Sequence, residues 1–219
     1  FFFLEMNTRL QVEHPITELT TGIDLVQKQF EVASGMKLAI QQDEVGLFGH
    51  AIEARIYAED ASKGFLPAIG KLAMWRPPST PGVRFDSGFR EGDEVTVDFD
   101  PMLAKLIVHA PSRKAALRRL DTALSDFVAL GVTTNVGFLR QVAAEPAFTN
   151  GEVTTDYLDS TSLSTFSEPK PEDAILVAIA AAASRFGLDR TAGSASVTDF
   201  DEHTGHAGDP FRTLTRSFP

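Results

Sequence analysis

The stretch GHAIEARIYAED, Gly49 to Asp60, decides the fold. Within it Ile52, Ala54 and Ile56 alternate with Glu53 and Arg55. A period of two places the apolar and charged side chains on opposite faces of a strand. Reading outward toward the C-terminus, Val83 to Asp86, Glu94 to Phe99 and Leu103 to Val108 repeat the pattern. Val95, Val97 and Phe99 are predicted to share one face. Pro77-Pro78, Pro81-Gly82, Gly88 and Gly92 separate these runs with turn chemistry, so the sheet is predicted to be antiparallel. Ser112 then fits the N-cap of a helix carrying Leu117, Leu120, Leu124 and Phe127 inward. Asn135 fits the cap of a shorter helix with Leu139 and Val142 on its inner side. Strands followed by helices make the expected class α+β.

Reading outward toward the N-terminus, Leu4, Met6, Leu10 and Val12 alternate with Glu5, Asn7, Arg9, Gln11 and Glu13. The expectation is an extended segment with one buried face. His14-Pro15 interrupts any ladder, because proline lacks an N–H and restricts its predecessor. A helix is predicted after it, with Thr21 as N-cap, Ile23, Val26, Phe30 and Ala33 as its buried stripe, and Gly35 at its end. Beyond Asp159 the composition shifts. Ser160 to Pro171 reads as a linker, Pro171 to Arg185 as a helix, and Thr191 to Asp209 as a mobile loop.

Composition removes several classes of function. With 20 Lys plus Arg against 30 Asp plus Glu, the 219-residue chain carries a net charge of −10, which argues against a nucleic-acid binder. It has no cysteine, so disulfides and thiolate chemistry are excluded. The longest apolar run, Ala174 to Ala183, is too short for a bilayer span of roughly 20 residues. Phe1-Phe2-Phe3-Leu4 at one end and Ser217-Phe218-Pro219 at the other read as those of a piece of a longer protein. Phe1 to Met6 reads as a strand separated from its sheet.

The polar comb from Glu5 to Glu13 carries the chemistry. Extended at roughly 3.3 Å per residue, it spans at most about 26 Å. Glu5 and Asn7 offer the hard oxygen donors that suit Mg²⁺. Arg9 can hold an oxyanion with two parallel hydrogen bonds, and Glu13 can take a proton from a bound acid. Spacing alone equally allows a wet edge strand with a surface ion pair between Arg9 and Glu13. His14 reads as structural or catalytic, and Arg55 and Lys105 as charges of the fold or of an interface.

EMNTRLQVEHPITE, Glu5 to Glu18, resembles the signature near the end of the ATP-grasp domain of biotin carboxylases. GHAIEARIYAED at Gly49 to Asp60, FLP at Phe65 to Pro67 and GVR at Gly82 to Arg84 resemble the same family's C-terminal domain. So do DPMLAKL at Asp100 to Leu106, GVTTN at Gly131 to Asn135 and TTDYL at Thr154 to Leu158. The details are similar to biotin-containing subunits of acyl-CoA carboxylases of the methylcrotonyl and propionyl type. The resemblance implies the tail of an ATP-grasp domain over residues 1–46 and a biotin carboxylase C-terminal domain over 47–159. Residues 160–219 would be linker, helix and the start of a domain touching the carboxyltransferase.

The implied activity is ATP-dependent carboxylation of biotin at N1 through carboxyphosphate. The implied cofactors are ATP with Mg²⁺ or Mn²⁺, and biotin borne as substrate on a carrier domain. By the same resemblance Glu5 and Asn7 are metal ligands, and Arg9, Gln11 and the Val12 N–H contact bicarbonate. Glu13 is the base that deprotonates bicarbonate, and Arg84 stabilises the charged ureido oxygen of biotin. Implied partners are bicarbonate, a biotinylated carrier domain and a carboxyltransferase subunit in an oligomer, without nucleic acid or membrane. The implied location is the cytoplasm, or the mitochondrial matrix in a eukaryote. The Gly-rich phosphate lid, the ATP-binding lysines and the biotin-accepting Met-Lys-Met do not occur in the 219 residues, so this stretch alone is expected to be inactive. The competing expectations are another ATP-grasp ligase, of the carbamoyl-phosphate-synthetase kind, and a non-catalytic dimerising or docking module.

Overall fold

The computed structural model describes residues 2–160, all within the first of two units into which the chain divides, Phe1–Ser167. The linker, helix and loop expected beyond residue 160 lie outside the described residues. Helices α1 (His14–Thr21) and α2 (Leu25–Ala33) come first. Strands β1 (His50–Tyr57), β2 (Glu59–Asp60), β3 (Leu66–Pro67), β4 (Gly70–Lys71), β5 (Met74–Arg76), β6 (Val83–Ser87), β7 (Glu94–Val95) and β8 (Met102–Ala110) follow. Helix α3 (Arg113–Asp126), strand β9 (Val128–Leu130), and helices α4 (Val136–Ala144), α5 (Pro146–Asn150) and α6 (Tyr157–Ser160) complete the order. This is the α+β arrangement that the sequence predicts.

The central sheet has the order β1-β8-β6, antiparallel throughout. Its inner face is built from the predicted alternation. Ile52 lies opposite Val108, Ala54 opposite Leu106 and Ile56 opposite Ala104, while Val83 and Phe85 flank Val108 and Leu106 from β6. Helix α3 closes this face with Ala116, Leu117, Leu120, Ala123 and Leu124, all buried. The Ser112 side chain accepts from the Ala115 N–H and satisfies a donor that the first helical turn leaves open. Phe127 then joins Trp75 and Phe85 in an aromatic cluster with ring centroids 5.0 to 6.1 Å apart.

Four expectations require correction. Residues 2–13 join no ladder, and Leu4 is 90% exposed, because no strand lies beside them among the described residues. Alternation makes a backbone extended, but burial needs a neighbour. Thr21 closes α1 instead of capping α2. Gly22, at φ 74°, turns the chain, and Asp24 caps α2 by accepting from the Gln27 N–H at 2.8 Å. The α2 stripe is not buried, and Phe30 is 74% exposed. Finally, only Glu94 and Val95 form a strand, paired with Gly70 and Lys71, and Phe99 is 83% exposed.

Asn135 occupies the predicted cap position but does different work. Its side chain makes no capping bond to α4. Its Oδ1 accepts from the Tyr57 N–H at 3.0 Å and its Nδ2 donates to the Arg55 carbonyl at 3.1 Å. The register shift at Ile56/Tyr57 sits at this point, so a buried amide supplies the pairing that the irregular ladder lacks.

A turn after β2 carries a pH-dependent contribution. Asp60 Oδ1 accepts from the Ser62 N–H at 3.0 Å and its hydroxyl at 2.6 Å, and Oδ2 accepts from Lys63 Nζ at 2.8 Å. The hydrogen bonds from Lys63 and Ser62 hold the Asp60 carboxyl down at about 2, against an ordinary 3.8. A carboxyl depressed in the folded state stabilises the fold above its ordinary value and loses that contribution as pH falls through the lower one. Thermal melts of wild type and Asp60→Asn are therefore expected to differ most above about pH 4. The gap is expected to close toward about pH 2.

Candidate active site

The outer face of the central sheet is charged. Across the three strands one row reads Glu53, Ile107, Arg84 and the next reads Arg55, Lys105, Asp86. Helix α1 packs against β1 and β8 on the sheet, with Pro15 buried and His14 and Glu18 half-buried. The comb thus ends against a field of fixed charges, and α1 is the element that brings it there.

Glu13 meets that field directly. Its Oε2 accepts from Arg55 Nη2 at 2.6 Å, a contact 42 residues apart in sequence. Behind the pair lies Glu53, whose side chain is 5% exposed and whose Oε1 is 3.5 Å from Arg55 Nε. Burial pushes the Glu53 carboxyl up, against the pull of Lys105 and Arg55, and the negative Glu13 adds to the rise. Arg55 therefore lies between a buried and an exposed carboxylate.

Lys105 fastens the comb from the central strand. Its Nζ donates to the Val12 carbonyl at 3.0 Å and lies 3.5 Å from Asp86 Oδ2. Asp86 in turn accepts from Arg84 Nε, at 2.9 Å on Oδ1 and 3.1 Å on Oδ2. Burial pushes the Asp86 carboxyl up, but Arg84 and Lys105 outweigh it and hold it below its ordinary value. Arg84 also donates to Glu18 Oε2 at 3.2 Å, and its bonds to Asp86 lead the causes that raise its own pKa.

The remaining comb residues fall as follows. Arg9 Nη1 donates to Asn7 Oδ1 at 2.7 Å, and Glu5, Asn7 and Arg9 are exposed. Arg9, Gln11 and Glu13 line one side of an open cavity of about 580 Å³, faced by Leu25, Val32 and Leu38. Glu5 and Asn7 offer oxygen donors of the hard kind that suits Mg²⁺ or Mn²⁺, and the Asn7 oxygen accepts from Arg9. No cluster of three or more acidic or histidine ligands occurs among the described residues. No helix among them is long and apolar enough to cross a membrane.

Arg9, Gln11 and Glu13 thus share one cavity, and Arg84 is bonded to Asp86 and Glu18. Arg55 and Lys105, expected to be charges of the fold or an interface, touch the comb itself. Their signal was present as polar positions on strands with buried opposite faces. Which polar face receives the comb is a property of the packing.

Comparison with known proteins gives the family. The profile of the Biotin carboxylase C-terminal domain matches residues 53–160, and that of the Carbamoyl-phosphate synthase L chain, ATP binding domain matches residues 1–41. The alpha subunit of mitochondrial methylcrotonoyl-CoA carboxylase of Oryza sativa subsp. japonica is 46% identical over 97% of the chain. The mitochondrial propionyl-CoA carboxylase alpha chain of Caenorhabditis elegans is 47% identical over 80% of it. The chain spans only 30% and 25% of the length of these relatives. A biotin carboxylase subunit of pyruvate carboxylase superposes with a TM-score of 0.74 at 40% identity, over 77% of this chain and 37% of that one. The biotin carboxylase domain dimer of Hydrogenobacter thermophilus 2-oxoglutarate carboxylase, solved with MgADP and bicarbonate, gives 0.73 at 39% identity over 76% and 37%. Matched profiles, relatives and solved structures agree, and the chain belongs to the biotin carboxylase family.

Proposed function

We propose that this chain forms the bicarbonate- and biotin-facing part of the biotin carboxylase of a biotin-dependent acyl-CoA carboxylase. Residues 1–46 end its ATP-grasp domain and residues 47–159 form its C-terminal domain. The observation that carries the proposal is the Glu13–Arg55 pair, a carboxylate and a fixed cation at 2.6 Å beside the cavity that Arg9 and Gln11 line.

In this role Arg9, Gln11 and the Val12 N–H hold bicarbonate, and Glu13 removes its proton. The dianion attacks the γ-phosphorus of ATP, releasing ADP and forming carboxyphosphate. Carboxyphosphate would split into CO₂ and phosphate, the released phosphate would take the proton of biotin N1, and N1 would add to CO₂. Negative charge that develops on the ureido oxygen needs a cation that stays protonated and does not wander, which suits arginine. The resemblance gives this position to Arg84, whose guanidinium is held by Asp86 and Glu18. Mg²⁺ or Mn²⁺ at Glu5 and Asn7 would neutralise phosphate charge. A biotinylated carrier domain, a carboxyltransferase subunit and an oligomeric assembly complete the reading. The dimeric, MgADP- and bicarbonate-bound Hydrogenobacter relative supports its bicarbonate and oligomer parts.

The test is ADP release by the full-length gene product. Release is expected to require bicarbonate and to rise with free biotin, accompanied by acid-labile carboxybiotin from labelled bicarbonate. Release that ignores biotin but responds to ammonia or an amino acid would instead support the carbamoyl-phosphate-synthetase kind of ligase. The absence of any release would favour a docking module.

A further inference from the structure

Resting on the bicarbonate role of the comb, we propose that Lys105 and His14 are positioning residues that clamp successive carbonyls, Val12 and Gln11, and so aim the Val12 N–H at bicarbonate. Neither residue would touch the substrate. Their contact is with the backbone that does.

Two independent bonds define the clamp. Lys105, on the central strand β8, reaches across 93 residues of sequence to donate to the Val12 carbonyl at 3.0 Å. His14, at the start of α1, places Nδ1 2.8 Å from the Gln11 carbonyl, which its own N–H also approaches at 3.3 Å. A carbonyl only accepts, so the His14 ring carries its hydrogen on Nδ1. A trans peptide plane points its N–H opposite to its C=O. Drawing the Gln11 carbonyl toward α1 therefore turns the Val12 N–H away from the helix. Fixing the next carbonyl on Lys105 removes the remaining freedom of the Val12 backbone.

The clamp answers a need peculiar to this segment. Residues 2–13 lie in no helix or strand, so no ladder holds their peptide planes. Ordering a residue costs conformational entropy, which a binding backbone must otherwise surrender when substrate arrives. Lys105 is itself immobilised, with its side chain 13% exposed and Asp86 at 3.5 Å. A rigid sheet thus lends its order to an irregular loop, which is how second contacts keep a site pre-formed.

The test uses Lys105→Met, Lys105→Arg and His14→Phe. In the full-length gene product Lys105→Met is expected to raise the bicarbonate KM by about 10- to 100-fold, the range for a lost charged hydrogen bond, with kcat within about threefold. Lys105→Arg, which keeps a donor at that reach, is expected to recover to within a few fold of wild type. His14→Phe is expected to move the same constant by a smaller factor. In the 219-residue chain, amide order parameters at Gln11, Val12 and Glu13 are expected to fall below about 0.6 in Lys105→Met while those of β8 stay rigid. An unchanged bicarbonate KM in an active Lys105→Met enzyme overturns the proposal, as do equal defects in the methionine and arginine variants. Unchanged order parameters at residues 11–13 overturn it too. If the wild-type product releases no bicarbonate-dependent ADP, the proposed function fails and the order parameters alone decide the clamp.

Discussion

Arg84→Met is expected to lower biotin-dependent turnover of the full-length gene product by about 10²- to 10³-fold, the cost of removing one fixed charge-stabilising donor from a reaction centre. Arg55→Met is expected to cost less, because Arg55 meets Glu13 and not biotin. The contrast rests on where each guanidinium is spent. Arg55 is paired with Glu13 and Glu53, whereas Arg84, bonded to Asp86 and Glu18, holds the position that the resemblance gives to the biotin contact. The measurement is carboxybiotin formation at saturating ATP and bicarbonate, with melting temperatures recorded for both variants. Arg55→Met leaves the buried Glu53 short of one of its cations, so the Glu53→Gln, Arg55→Met double variant separates lost chemistry from lost stability. A large defect in Arg55→Met with a small one in Arg84→Met would move the biotin role to Arg55.

Gly131→Ala is expected to destabilise the chain by roughly 3–4 kcal/mol, combining backbone strain with the displacement of packed atoms. Gly131 adopts φ 106°, a conformation that side chains disfavour. A Cβ there would lie 2.0 Å from the Lys71 carbonyl oxygen and 2.9 Å from the Ala73 N. Neither is the flexible end of a side chain. The Ala73 N–H donates to the Leu130 carbonyl at 2.8 Å, so β5 and β9 must part for the methyl to fit. That movement loosens Trp75 and Phe127, which pack edge to face at 5.0 Å. Gly64→Ala is the control. Its φ is 69°, but nothing lies within 4 Å of the added carbon, so only about 1–2 kcal/mol of strain is expected. Urea denaturation of the three chains checks both values.

Local pattern sufficed where each residue's burial follows from its own neighbours in sequence. Ile52, Ala54 and Ile56 on β1 and the α3 stripe were readable because a period of two or of 3.6 faces one core. The same rule misled at Val97, Phe99 and Leu4, where an alternating run has no strand beside it among the described residues. It misled again at Thr21, because two helices separated by Gly22 look like one helix and a preceding turn.

From the sequence alone came the α+β class, the β1, β6, β8 and α3 elements, and the motif order that marks the biotin carboxylase family. Those are properties of short windows and of types of residue, and they survive without knowing what touches what. The tertiary structure decided which charges serve the comb. Arg55 and Lys105 lie 42 and 93 residues from the comb atoms they hold, and Arg84, in a motif of equal clarity, turns to Asp86 and Glu18. A polar position on a strand states only that it faces away from the core. What lies over that face depends on where α1 packs, and packing is a sum over contacts that no local window contains.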